Sequence, residues 1–155
     1  YISGGGNFGT SFSDGNTTYF EPKFFPSYYG LNVNLIIHEL SHPNSNPVAE
    51  KIYANSAIRE KIAETFDEKK SIQEQMGYGN IYTYIIELVN RANTICIMKQ
   101  FCSDSDVKRC IEYDKQCRFD EIETVIEILE NYKTGNYKDI MEFEPEFERL
   151  LLEKI

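Results

Sequence analysis

The sequence has no tryptophan and only two histidines among its 155 residues. No apolar run reaches the roughly 20 residues of a membrane-spanning helix, so we expect no membrane insertion. Sixteen basic residues against 25 acidic ones give a formal net charge of -9. Such an acidic excess argues against nucleic acid or an anionic membrane surface as a partner. What is present, 41% hydrophobic and 26% charged residues, is typical of a globular domain.

The length is that of one domain, and we predict a single domain over residues 1–155. No signal peptide is visible, and the chain begins with Tyr1 rather than with methionine. We therefore expect that upstream sequence, including any export signal, is missing and that the chain is the catalytic part of a longer precursor. The sequence leaves the oligomeric state open.

The four cysteines lie close together in the sequence and include no C-x-x-C pair, which makes a structural zinc site built from cysteines unexpected. An even number of cysteines around a polar segment favours one or two local disulfides in an exported protein. We accordingly expect a secreted or cell-surface protein, with reduced thiols as the alternative. The pairing stays open among Cys96, Cys102, Cys110 and Cys117.

Both histidines fall in one short apolar stretch, Leu35-Ile36-Ile37-His38-Glu39-Leu40-Ser41-His42. On a helix, residues four apart lie on the same face, so His38 and His42 can bind one zinc ion together. Glu39 then lies where it can act as general base toward a water molecule. The alternative is a structural helix in which this spacing arose by chance.

A catalytic zinc site usually has three protein ligands, and the chain has no third histidine. The third ligand must therefore be a carboxylate. Glu87 is the only charged residue between Glu74 and Arg91, inside an apolar segment, and a buried carboxylate is costly unless it is paired or binds a metal. We favour Glu87, with Glu64 second. The alternative role for Glu87 is an ion pair with Arg91, one turn further along. Less favoured ligands are Glu50 and Glu60.

The pattern of turns and periodicities predicts an α+β fold, in which an N-terminal β-hairpin or small sheet lies over a mostly helical body with the cleft between them. Residues 8–13 and 17–21 flank Asp14-Gly15, a dipeptide that favours a hairpin turn. Pro43 is expected to end the motif helix near His42. The polar cysteine region, residues 102–117, is expected to be a loop or a short helix. Main helices are predicted over residues 31–42, 47–69, 81–98, 119–132 and 145–155.

Several blocks of the sequence together resemble an uncharacterised bacterial family regarded as gluzincin-like zinc metallopeptidases, often thought to be exported. The blocks are Gly5-Gly6-Asn7-Phe8-Gly9, His38-Glu39-Leu40-Ser41-His42 with Asn46-Pro47, Glu87-Leu88-Val89-Asn90-Arg91-Ala92, and Asn131-Tyr132 to Phe147. The resemblance covers most of the chain, and it implies that Glu87 and Arg91 correspond to residues that recur in the family. The cysteine-bearing segment after Ile97 departs from the family and leaves that side of the cleft undefined.

The resulting hypothesis is zinc-dependent hydrolysis of a peptide or protein substrate, with Zn²⁺ held by His38, His42 and Glu87 and with Glu39 as general base. The developing oxyanion needs a further donor, and Tyr78, Tyr82 and Arg91 are candidates. Arg91 is alternatively a residue that orients Glu87. Two other hypotheses are a non-catalytic, metal-stabilised binding or toxin-like module, and a plain helical domain without metal.

Overall fold

The computed structural model describes the backbone of residues 8–13, 18–23 and 29–155, and the side chains from residue 33 onward. In these described residues, two short strands, β1 and β2, precede six helices, α1 to α6. The strands are antiparallel, with Phe8 opposite Lys23 and Ser13 opposite Thr18. The elements are β1 (Phe8–Ser13), β2 (Thr18–Lys23), α1 (Tyr29–Ala54), α2 (Ser56–Gln75), α3 (Ile81–Met98), α4 (Asp104–Gln116), α5 (Ile122–Thr134) and α6 (Ile140–Lys154).

Helices α1 and α3 form the centre of the domain and run antiparallel. Near one end the amide of Asn34 lies 3.3 Å from the sulfur of Met98, and near the other the Tyr82 hydroxyl lies 3.5 Å from a Glu50 carboxylate oxygen. The other helices pack around this pair, and all six contribute to one apolar core. Its largest fully buried apolar and aromatic side chains are Tyr84, Phe119, Phe143, Phe147, Ile52, Ile58, Ile62, Ile85, Leu88, Ile95 and Met98.

The predicted α+β class is wrong. From residue 33 onward the described chain is helical with connecting turns. Its buried core residues lie in the helices, except Cys117 and Phe119, which lie in the turn between α4 and α5. A two-stranded ladder such as β1–β2 is too small to form a layer over a core, and within the described residues it contacts only α1. The pattern-based expectation overestimated the sheet because the polar, glycine-rich N-terminal residues make up a small part of the fold.

The predicted end of the motif helix at His42 is also wrong, because α1 continues through Pro43 and Pro47 to Ala54. Both proline rings are exposed, so they do not disturb the packed face. A proline inside a helix costs about 3 kcal/mol. Burial of Val48 and Ile52 against the core opposes this with about 1.5–3 kcal/mol per side chain.

The chain instead breaks at Asn55, whose side chain caps α2 by accepting hydrogen bonds from the backbone N–H groups of Ala57 and Ile58. The helix predicted over residues 47–69 therefore contains the end of α1 and most of α2. The prediction for residues 81–98 is confirmed by α3. Helix α5 ends close to its predicted limit, whereas α6 begins five residues earlier than predicted, at Ile140 instead of residue 145.

The expected disulfides are absent, since all four cysteines are free thiols. Cys110 and Cys117 pack in the core as small apolar side chains. Burial raises the pKa of Cys96 and of Cys110 to about 11. The polar segment that carries three of these cysteines forms α4, a regular helix capped by the side chain of Ser103.

No helix in the described part of the chain is long and apolar enough to cross a membrane.

Candidate metal centre

Three of the side chains selected from the sequence meet between α1 and α3. The Nε2 atom of His38 lies 3.4 Å from Oε2 of Glu87, and Nε2 of His42 lies 3.6 Å from Oε1 of the same carboxylate. One ligand atom from each residue lies within 4.8 Å of the other two. The two imidazole rings stand edge to face, with centroids 4.8 Å apart. Two imidazoles and one carboxylate therefore converge on one point.

Asn90, which is fully buried on α3, fixes the relative position of the two helices at this level. Its side-chain amide donates to the backbone carbonyl of His38 over 3.0 Å. Its carbonyl oxygen accepts a 2.6 Å hydrogen bond from the hydroxyl of Ser45. Because Asn90 is less than one turn from Glu87, these hydrogen bonds to α1 also set the position of the Glu87 carboxylate, along the helix axis, relative to the two histidines.

The ring of His42 is oriented by a second residue on its own helix. Its Nδ1 atom lies 3.0 Å from Oδ1 of Asn46, one turn further along α1. An amide oxygen can only accept, so this contact favours the tautomer in which Nδ1 of His42 carries the proton. The lone pair is then on Nε2, the atom that faces Glu87, as a metal ligand requires.

Glu87 is a buried carboxylate with an unsatisfied oxygen. Among the described residues, its Oε2 atom has no hydrogen-bond partner, and neither does the facing Nε of Arg91 at 3.6 Å. Burial acts to raise the pKa of Glu87, but the neighbouring His38, Arg91 and His42 outweigh burial and lower it to about 2. An ionised, incompletely paired oxygen beside two imidazole nitrogens fits a bound cation.

Arg91 makes its closest contact with Asp114 on α4, where Nη1 lies 2.5 Å from the carboxylate. Its Nη2 atom lies 3.5 Å from the hydroxyl of Tyr78, and its guanidinium lies 4.6 Å from the ring centroid of Phe119. The arginine is thus held on several sides by protein groups. This arrangement favours a role in orienting Glu87 rather than in contacting a substrate.

Tyr78 reaches the cluster from the turn between α2 and α3. Gly77 has a φ of 90°, and the N–H of Tyr78 donates to the carbonyl of Gln73 over 2.8 Å. Together with the bond from Gly77 N–H to Glu74, this is a Schellman motif. Burial, reinforced by Glu87 and opposed by Arg91, raises the pKa of Tyr78 to about 12. Its hydroxyl therefore stays protonated at neutral pH and can donate a hydrogen bond.

The remaining residues selected from the sequence are placed as follows. Glu39 is buried on α1, 7% exposed, next to His38. Three other glutamates are exposed and lie outside the cluster: Glu50 on α1, and Glu60 and Glu64 on α2. Tyr82 is 40% exposed and its hydroxyl points toward Glu50. The structure thus brings Glu87, and not Glu64, to the two histidines.

Sequence reasoning missed Asn90 and Asp114 and gave no separate role to Asn46. A signal for Asp114 was present, because it follows Val107 and Cys110 at helical spacing on the buried face of α4. The many exposed charges of that segment hid the periodicity. Asn90 is an uncharged polar residue in an apolar helix. The sequence pattern alone does not show whether such a side chain is buried and bonded to another helix or exposed to solvent.

From residue 33 onward the chain is a helical domain in which two histidines and one glutamate form a possible metal-binding group. A sequence profile described as a domain of unknown function, DUF4932, matches residues 15–150. The chain belongs to that family. No curated protein and no solved structure matches the chain.

Proposed function

We propose that this protein is a zinc-dependent hydrolase of peptide bonds. The observation that carries the proposal is the convergence of His38, His42 and Glu87, with one ligand atom of each within 4.8 Å of the others. Two nitrogen ligands and one carboxylate, leaving a fourth position open, are a donor set of catalytic zinc sites. Imidazole ligands also disfavour Ca²⁺ and Mg²⁺, which prefer oxygen.

In this proposal Glu39 moves the proton during hydrolysis. When bound, zinc would lower the pKa of water toward neutrality and polarise the substrate carbonyl. Glu39 takes a proton from the water that attacks the carbonyl carbon, and it passes this proton to the amide nitrogen as the C–N bond breaks. Within the described residues, the carboxylate of Glu39 takes part in no ion pair that would occupy it.

Tyr78 is the favoured donor to the oxyanion among the three candidates. Its hydroxyl is protonated over the neutral pH range and lies beside Arg91 and Glu87. Arg91 is engaged by Asp114, and Tyr82 is oriented toward Glu50 at the surface. A hydrogen bond that strengthens as charge develops on the carbonyl oxygen lowers the barrier to attack.

The first test is elemental mass spectrometry of the purified protein and of Glu87→Ala, with Glu64→Ala as the matched control. We expect about one zinc per chain in the parent, as for a mononuclear site, and retention in Glu64→Ala but loss in Glu87→Ala. Absence of metal from the parent after zinc is supplied would overturn the proposal.

The second test addresses turnover with a mixture of quenched fluorescent peptides. Glu39→Gln should keep the zinc and lose hydrolysis, because the amide has the shape of the carboxylate but cannot take a proton. If the parent holds zinc yet cleaves no peptide, the non-catalytic metal-stabilised module is the better description. Full activity in Glu39→Gln would show that the assigned base is wrong.

A further inference from the structure

Helix α4 contributes a buried carboxylate next to the candidate metal centre. Asp114 is 3% exposed, and its Oδ1 atom lies 2.5 Å from Nη1 of Arg91. Both side chains of this ion pair are removed from solvent, at 5% and 14% exposure. Removing one partner of a buried pair leaves the other charge uncompensated and forces it to find a new partner.

For Arg91, the other carboxylate within reach is the one that faces the histidines. The guanidinium lies between Asp114, at 2.5 Å, and Glu87, at 3.6 Å. The longer of these two contacts is not a hydrogen bond, since Nε of Arg91 and Oε2 of Glu87 both lack a partner among the described residues. The close contact with Asp114 therefore keeps Arg91 from closing fully onto Glu87.

The same end of α4 also holds the flat face of the guanidinium. The backbone carbonyl of Asp114 accepts a 3.0 Å hydrogen bond from the N–H of Phe119. The ring of Phe119, which is fully buried, lies 4.6 Å from the Arg91 guanidinium. Between these residues Arg118 adopts a positive φ of 64°, which ends the helix. Asp114 thus holds Arg91 in two ways. Its carboxylate contacts the guanidinium directly, and its backbone carbonyl binds Phe119, whose ring packs against the guanidinium.

We propose that Asp114 is a positioning residue of the metal centre, which retains Arg91 by direct contact and so leaves the Glu87 carboxylate facing His38 and His42. This inference rests on the proposed function, because it assigns to Glu87 the role of ligand. It also gives the cysteine-bearing segment a purpose at the site, since that segment supplies both the carboxylate and the turn that follows it.

The experiment measures zinc affinity by competition with a chromophoric chelator for the parent, Asp114→Asn, Arg91→Gln and the double variant. We expect Asp114→Asn to weaken zinc binding by about 10–100-fold, the range found when an outer partner of a metal ligand is lost. In the Arg91→Gln background, the same change should produce only a small fraction of that loss, because its effect passes through Arg91.

Two further readouts separate positioning from general damage to the fold. The visible spectrum of the Co²⁺-loaded protein should change in Asp114→Asn, since the ligand set around the ion is altered. Glu121→Gln is the matched control, because it removes the negative charge that lies 2.8 Å from the fully buried Lys69, outside the cluster. It should lower the melting temperature but leave zinc affinity and the Co²⁺ spectrum at the parent values.

Parent-like affinity and spectrum in Asp114→Asn, or losses that add fully with Arg91→Gln, would overturn the inference. An equal loss of affinity in Glu121→Gln would do the same, because the effect would then be general destabilisation. If the parent binds zinc but cleaves no peptide, the catalytic proposal fails while the affinity comparison still tests Asp114. If the parent binds no zinc, both fall together.

Discussion

The Oδ1 atom of Asn46 lies 3.0 Å from Nδ1 of His42, one helical turn away on α1. This contact favours the tautomer with the proton on Nδ1, which leaves the lone pair on Nε2, the atom that faces Glu87. It depends on α1 continuing past Pro43, because a helix that ended at His42 would not bring Asn46 under the ring. The helix extension that sequence reasoning did not anticipate is therefore part of the site.

Replacing Asn46 with alanine should weaken zinc binding without removing a ligand. Loss of the acceptor frees the ring of His42 to rotate and to change tautomer, and changes of this kind cost about 10–100-fold in metal affinity. Competition with a chromophoric chelator measures the loss. Asn46→Asp keeps an acceptor and should retain most of the affinity, and Asn44→Ala, at an exposed neighbouring position, is the control. An unchanged affinity in Asn46→Ala would contradict the assignment.

Zinc should stabilise the folded protein, and its removal should lower the melting temperature. A ligand that binds only the native state contributes about 2.7 kcal/mol when its free concentration is 100 times its dissociation constant. Thermal denaturation with excess zinc and with a chelator measures the difference. Glu87→Ala should show almost no response to zinc, while Glu64→Ala should respond like the parent. Equal responses of these two variants would argue against Glu87 as a ligand.

The metal-free protein should lose stability at alkaline pH, partly through Tyr78. The pKa of Tyr78 is raised from 10.0 to about 12, so the folded state holds the phenolic proton more tightly than the unfolded state does. Its contribution is fully present below about pH 10 and is lost as the pH rises to about 12, on the order of 2 kcal/mol.

Chemical denaturation at several pH values, in the presence of a chelator, tests the contribution of Tyr78. In Tyr78→Phe the free energy of unfolding should fall less steeply between pH 10 and pH 12 than in the parent. Tyr82→Phe, which removes a hydroxyl from a 40% exposed side chain, should follow the parent curve. Parallel curves for the parent and Tyr78→Phe would refute the placement of Tyr78 in a buried, anionic environment.

Gly77→Ala should destabilise the turn that delivers Tyr78. An added Cβ at Gly77 meets no atom within 4 Å, so the cost comes from its φ of +90°, a conformation that costs other residues about 1–2 kcal/mol. Denaturant unfolding measures this loss, and peptide hydrolysis should decrease as well if Tyr78 donates to the oxyanion. Gly79→Ala is the comparison, because its added Cβ meets only the side-chain Cγ of Glu74 as a close contact, at 3.0 Å. A greater loss in Gly79→Ala would contradict this account.

The parts of the fold predicted correctly are those where one physical effect dominates. The limits of helix α3 were predicted correctly from its apolar segment, and the structure shows that the side chain of Asn80 caps its first turn. The grouping of His38, His42 and Glu87 followed from helical spacing and from the cost of burying an isolated charge. Whether a metal binds there stays a prediction.

The errors arose where long-range packing overrode a local preference. Pro43 locally disfavours helix at His42, but the burial of α1 against α3 continues the helix through both prolines. The capping side chain of Asn55, visible in the sequence, marks the real break. The helical spacing of Asp114 indicates a buried position, but its partner Arg91 lies 23 residues away, and the local pattern does not encode a contact between helices.

Three residues within less than two turns of α3 make separate contacts: Glu87 faces the histidines, Asn90 binds the α1 backbone and Arg91 contacts α4. Inserting or deleting one residue upstream within α3 would rotate these side chains by about 100° relative to the preceding part of the helix. Such a change would misdirect all three at once. We therefore expect α3 to retain a constant register from Glu87 to Arg91 throughout this family.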